Sequence, residues 1–82
     1  MRLPVIKQIE RTSSIDEIET AIKVLESTSE AASLKDAELE MIGELISNLC
    51  GAAEVKQLIA EGFSEKDALN SFMKKVMGSI DA

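Results

Sequence analysis

Isoleucine, leucine and valine recur at intervals of three and four along most of this chain while aromatic side chains are almost missing, and a core of that kind is most readily buried by packing helices. Ile15, Ile18, Ile22 and Leu25 make one stripe, and Leu39, Ile42, Ile46, Leu49 and Ala53 make a second. Ala68, Leu69, Phe72, Met73, Val76, Met77 and Ile80 form a broader face, with Asn70, Ser71, Lys74 and Lys75 on the other side. Phe63 and Phe72 are the only aromatics. Runs of β-branched and aromatic residues bounded by turn pairs, the usual mark of sheets, do not occur.

Local signals set the helix ends. Ser14 stands before the first stripe with Glu17 three residues on, the spacing at which each side chain satisfies the other residue's free backbone N–H. Ser33 with Asp36 predicts the start of the next helix, and Gly62 predicts its end, because glycine takes the left-handed conformation that closes helices. Ser64 with Asp67 opens the last helix, and Phe63 is placed to staple against Ala68. Ahead of all these, Pro4 suits a first helical turn and Val5, Ile6 and Ile9 follow it, so residues 3–11 read as a short helix; Leu3, Val5 and Ile9 also fit the alternation of a strand.

Residues 34–61 pose a geometric question. At ~100° per residue, Val55, Leu58 and Ile59 fall opposite the stripe centred on Ile46 and Ala53. Either the helix breaks near Gly51, or it continues and is buried on different sides along its length. The continuous, gently bent helix is favoured, because a mid-helix glycine costs only about 1 kcal/mol relative to alanine. Its early face then packs on the second helix and its late face receives the last. The expected fold is all-α: a compact bundle of three to four helices with a long central helix, in one domain spanning residues 1–82.

A domain of 82 residues buries only about 60 to 65% of the surface of its unfolded chain, which leaves a lone core near marginal stability. One cysteine closes no internal disulfide, and the absence of histidine removes the usual zinc ligand. Self-association as a homodimer is the expected remedy. Gly43, Ser47 and Gly51 recur every four residues and would let a second helix backbone approach closely, either at a subunit contact or in packing within the chain. Any uncovered part of the Leu58, Ile59 and Phe63 region is a second candidate contact.

The net charge is −6, and residues 16–54 carry ten acidic side chains against Lys23 and Lys35, a local balance of −8. Such a field repels phosphates, so neither nucleic acid nor an anionic membrane is an expected partner, and the acidic face reads most simply as solvated surface. With no apolar run of membrane-spanning length and no apolar leader, the expected location is cytoplasmic.

The groups needed for bond-making are scarce. Ser13, Ser14, Ser33 and Ser64 have no histidine to act as their base, and the glycines are too dispersed to cradle phosphate. Glu40 with Glu44, and Glu10 with Glu17, form no metal set, since di-metal helical sites add Glu-x-x-His pairs. No cofactor and no enzymatic activity are expected. Cys50, the candidate redox thiol, shares a helical face with Ile46 and Ala53 and reads as buried and inert. Met41, Met73 and Met77 suggest an adaptable groove, although at helical spacing beside Phe72 and Val76 they read more simply as core.

The segment Ser33-Leu-Lys-Asp-Ala-Glu-Leu-Glu-Met-Ile-Gly-Glu-Leu-Ile-Ser-Asn-Leu, with Gly51-Ala-Ala-Glu-Val, the opening Leu3-Pro-Val-Ile-Lys and residues 68–81, resembles a family of uncharacterised short all-helical proteins from Bacteroidetes-type bacteria. The resemblance covers nearly the whole chain. Its motifs are packing and capping signatures, so it carries over no catalytic residue; it implies a place beside thioredoxin-like and peroxiredoxin proteins. The leading expectation is a non-enzymatic helical protein acting through protein contacts, its partner other than itself unidentified. The alternatives are an accessory factor to a thiol-redox system, with Cys50 forming mixed disulfides, and a binder of a small apolar molecule between Phe72, Met73 and Met77.

Overall fold

The computed structural model describes residues 2–81, with side chains through Val76, and holds four helices: α1 (Leu3–Thr12), α2 (Ile15–Thr28), α3 (Asp36–Ala60) and α4 (Glu65–Asp81). Among the described residues there is no strand. Helix α3 packs against each of the other three.

The helix ends follow side-chain chemistry. The Ser14 hydroxyl accepts from the Glu17 N–H at 3.1 Å, and the Ser14 N–H donates to Glu17 Oε1 at 2.8 Å, a complete reciprocal cap. Helix α3 starts at Asp36, not at Ser33 as expected. The reason lies in Glu38, which accepts from the Lys35 N–H at 2.9 Å and so makes Lys35 the flanking residue. Lysine has no side-chain acceptor, so only half of the reciprocal arrangement forms. At the far end Gly62 adopts φ 113°, its N–H donates to the Ile59 carbonyl, and the Phe63 N–H reaches back to the Leu58 carbonyl. These two bonds satisfy the last carbonyls and turn the chain sharply into α4. The Ser64 hydroxyl then accepts from the Asp67 N–H.

Helix α3 runs without a break through Gly51. Its 25 residues use different faces for different neighbours. Ile42, Ile46, Leu49 and Ala53 are half-buried on the stripe that matches the Ile15, Ile18, Ile22 and Leu25 face of α2, where Ile18 is 1% exposed. Val55 and Gly51 lie around the helix from that stripe, and Gly51 sits beneath Phe72 of α4. The core proper joins Ile6, Ile18, Ala52, Val55, Ala68, Leu69 and Phe72, one cluster drawn from all four helices.

The place of α1 is the part that hydrophobic spacing does not reveal. The Arg2 N–H donates to Asn48 Oδ1 at 2.8 Å, and Lys56 Nζ donates to the Glu10 carbonyl at 3.0 Å. Eight residues separate the two anchors on each helix, so α1 lies parallel to α3 alongside residues 48–56. Ile6, midway between the anchors, is fully buried. A polar residue in the middle of an apolar helix thus sets where the first helix docks, and Asn48, 3% exposed, is satisfied by doing so.

Gly51 permits this convergence. A Cβ there would stand 3.0 Å from Ile6 Cδ1 and 3.0 Å from Phe72 Cζ, closer than side chains tolerate without moving. Gly43 meets nothing within 4 Å and Ser47 is exposed. The strip of small residues therefore divides: Gly51 is enclosed by the chain's own helices, whereas Gly43 and Ser47 face outward.

Candidate interaction surface

Where α1 stops, the face of α3 that it covers does not. Met41, Leu45, Asn48 and Ala52 follow one another at spacings of four, three and four, a single line along the helix. Ala52 and Asn48 lie under α1 and are buried, but Leu45 is 41% exposed and Met41 is 56% exposed. With Val5 they line an open apolar notch whose rim holds Arg2 and Glu44, paired at 3.5 Å. Arg2 is well exposed and Glu44 half-buried at the surface, so the pair contributes little to stability and leaves the Arg2 guanidinium able to meet another partner. Met41 accordingly departs from the expectation that the methionines are core; Met73 is half-buried against the core, and the Met77 side chain lies outside the described residues.

Cys50 is exposed, contrary to the expectation of a buried thiol. The cause is angular: α2 takes the Leu49 and Ala53 sector and Phe72 covers Gly51, and Cys50 projects between them. In the other candidate region Leu58 and Ile59 pack half-buried on the core, and Phe63 is 42% exposed at the turn into α4. Phe72 is buried, and its edge borders an open groove with Glu54, Gln57, Leu58, Glu61, Ser71 and Lys75. Lys75 bonds Glu54 across that groove at 2.7 Å.

A charged cluster missed in the sequence fastens α1 to the start of α4. Arg11 donates to both oxygens of Glu65, at 2.8 and 2.7 Å. Glu10, 8% exposed, shares a hydrogen bond with Glu65, and its Oε2 has no partner. Burial, then the hydrogen bond and charge of Glu65, raise the Glu10 carboxyl above its ordinary 4.5, against the opposing pull of Lys56 and Arg11. The Arg11 bonds, with the one from Glu10, lower Glu65 to about 2. Glu10 pairs with Glu65 and not with Glu17, which serves its own helix cap. Among the described residues no three histidine, cysteine or carboxylate side chains are placed to hold a metal ion.

The two carboxyls pull stability in opposite directions with pH. Glu10 holds its proton more tightly folded than unfolded, so its contribution is full below about pH 4.5 and is lost as pH rises through the raised value. Glu65 contributes above pH 4.5, and that contribution is lost as pH falls toward 2. Glu10→Gln keeps a donor for Glu65 and removes the buried charge. It is expected to raise stability at pH 7 by about 1 kcal/mol, read as a rise in melting temperature of about 4–8 °C, with no gain at pH 4. An equal gain at both values would show that charge at Glu10 is not the cause.

A model of the Family of unknown function (DUF6952) matches residues 1–81. No curated protein and no solved structure matches the chain. Among the described residues no helix is long and apolar enough to cross a membrane.

Proposed function

We propose, for a chain that belongs to the DUF6952 family of unknown function, a non-enzymatic cytoplasmic role carried by protein–protein contacts at the Met41 and Leu45 face of α3. The observation that carries this reading is the line from Met41 to Ala52. Its second half, Asn48 and Ala52, is buried, and its first half, the apolar Met41 and Leu45, is left exposed. Exposed apolar surface rimmed by polar groups is the usual form of a contact site. The notch and the groove beside Phe72 are open, and Ser14 and Ser64 serve as helix caps, which favours contact over chemistry.

A photo-crosslinking amino acid in place of Leu45, compared in living cells with one in place of the exposed polar Gln57, tests the reading. Protein adducts confined to position 45 support it, whether the captured protein is this chain or another. Equal adducts at both positions, or none at 45, would contradict it.

Exposure of Cys50 favours a second reading, that of an accessory factor to a thiol-redox system. The Cys50 thiolate would attack a partner's disulfide, forming one mixed disulfide and releasing one partner thiolate, which takes up a proton. Covalent adducts induced by oxidant that vanish in Cys50→Ser would place this reading first.

A further inference from the structure

We infer that the occupant of the Met41 and Leu45 notch is a second copy of this chain, docked about a two-fold axis; the inference rests on the contact reading above and names its partner. The first argument is area. A compact monomer of 8.9 kDa exposes about 4,800 Å². This chain exposes 5688 Å². The surplus of roughly 900 Å², taken over the whole chain, is of the size that each partner contributes to a standard stable interface, ~800 Å².

Shape gives the same answer. The radius of gyration is 13.7 Å, against about 12 Å for a compact chain of this length. The molecule measures 43 × 31 × 18 Å, so its thin dimension is two helix layers. In so flat an arrangement the neighbours of α3 cannot enclose it all round, although it carries apolar side chains on several faces.

Charge then selects the partner. The notch holds one cation, Arg2, and one anion, Glu44, at its rim. A two-fold rotation carries Arg2 of each copy toward Glu44 of the other, so the patch is complementary to itself, as an isologous interface requires. A strongly basic partner would find only one carboxylate lining the notch, and a strongly acidic one only one cation. The chain also has no disulfide or histidine-based metal site to supplement a small core, the circumstance in which association supplies the missing burial.

Light scattering on the purified chain over a hundredfold concentration range, with two variants, tests the inference. The wild type is expected at twice 8.9 kDa. Leu45→Glu is expected at the single-chain mass with unchanged helicity, its association weakened at least ~30-fold. Val24→Glu, at an exposed apolar residue of α2, is expected to keep the doubled mass. A disulfide-linked pair formed by Leu45→Cys in a Cys50→Ser background is the independent check. A doubled mass that survives Leu45→Glu puts the interface elsewhere and overturns the inference. A wild type of single-chain mass throughout also overturns it, and crosslinks from position 45 to a different protein would then leave the contact reading standing.

Discussion

Truncation of Phe72 to alanine is expected to remove about 3 to 5 kcal/mol of stability, against a total of roughly 4 to 12 kcal/mol for a domain of 82 residues. Phe72 is 4% exposed, and its ring lies over the bare backbone at Gly51. There it joins α4 to the middle of α3, beside the Ile6 side chain of α1. Its loss leaves a cavity between three helices that the neighbouring Ala68 and Leu69 are too short to fill. The readout is the urea midpoint, together with a fall in melting temperature of at least ~12 °C. A loss below about 1 kcal/mol would show that α4 is not held through its aromatic ring.

Gly51→Leu carries the second large effect. Helix propensity alone predicts a gain of nearly 1 kcal/mol. The packing opposes it, because the first added carbon already stands 3.0 Å from both Ile6 Cδ1 and Phe72 Cζ. Three further carbons have nowhere to go without displacing α1 or α4, so a net loss of about 1 to 3 kcal/mol is expected. Gly43→Ala is the control: with nothing within 4 Å, it should gain about 1 kcal/mol. In a Phe72→Ala background Gly51→Leu should lose less than it does alone, since the two side chains compete for one space. A gain in stability from Gly51→Leu would mean that the helices do not converge there.

The sequence announces those features that neighbouring residues decide among themselves. Ser14 with Glu17, Ser64 with Asp67 and Gly62 each mark a helix end because the bonding partners lie within a few positions. The stripe of α2 and its counterpart on α3 are legible for the same reason, since spacing alone puts them on one side. Continuity through Gly51 is also the better expectation from the chain, and α3 is unbroken.

What the sequence conceals depends on which helix occupies which sector around α3. Cys50 lies within 60° or so of Ala53 on a helical wheel, near enough to look buried, yet α2 and α4 leave a gap where it points. Asn48 looks like a stray polar residue until α1 docks on it. Met41 looks like core, and Leu45 falls on no stripe, because nothing in their spacing says that α1 begins level with Asn48. The Glu10, Arg11 and Glu65 cluster joins residues 54 or 55 positions apart, beyond the reach of any local pattern.

These hidden features bear on function more than the legible ones. The caps and the α2 stripe explain why the chain folds. The placement of α1 decides which part of the long helix is left for something else to cover, and that remainder is the candidate interaction surface.

Everything therefore depends on α3 being one unbroken helix that is wrapped along its second half. Residue-resolved amide hydrogen exchange measures this directly. The amides of residues 51–55, where α1, α2 and α4 converge, should exchange only through global unfolding and so be the slowest in the molecule. Fast exchange at residues 50–53, with slow exchange on either side, would mean two helices hinged at Gly51 and would contradict the account.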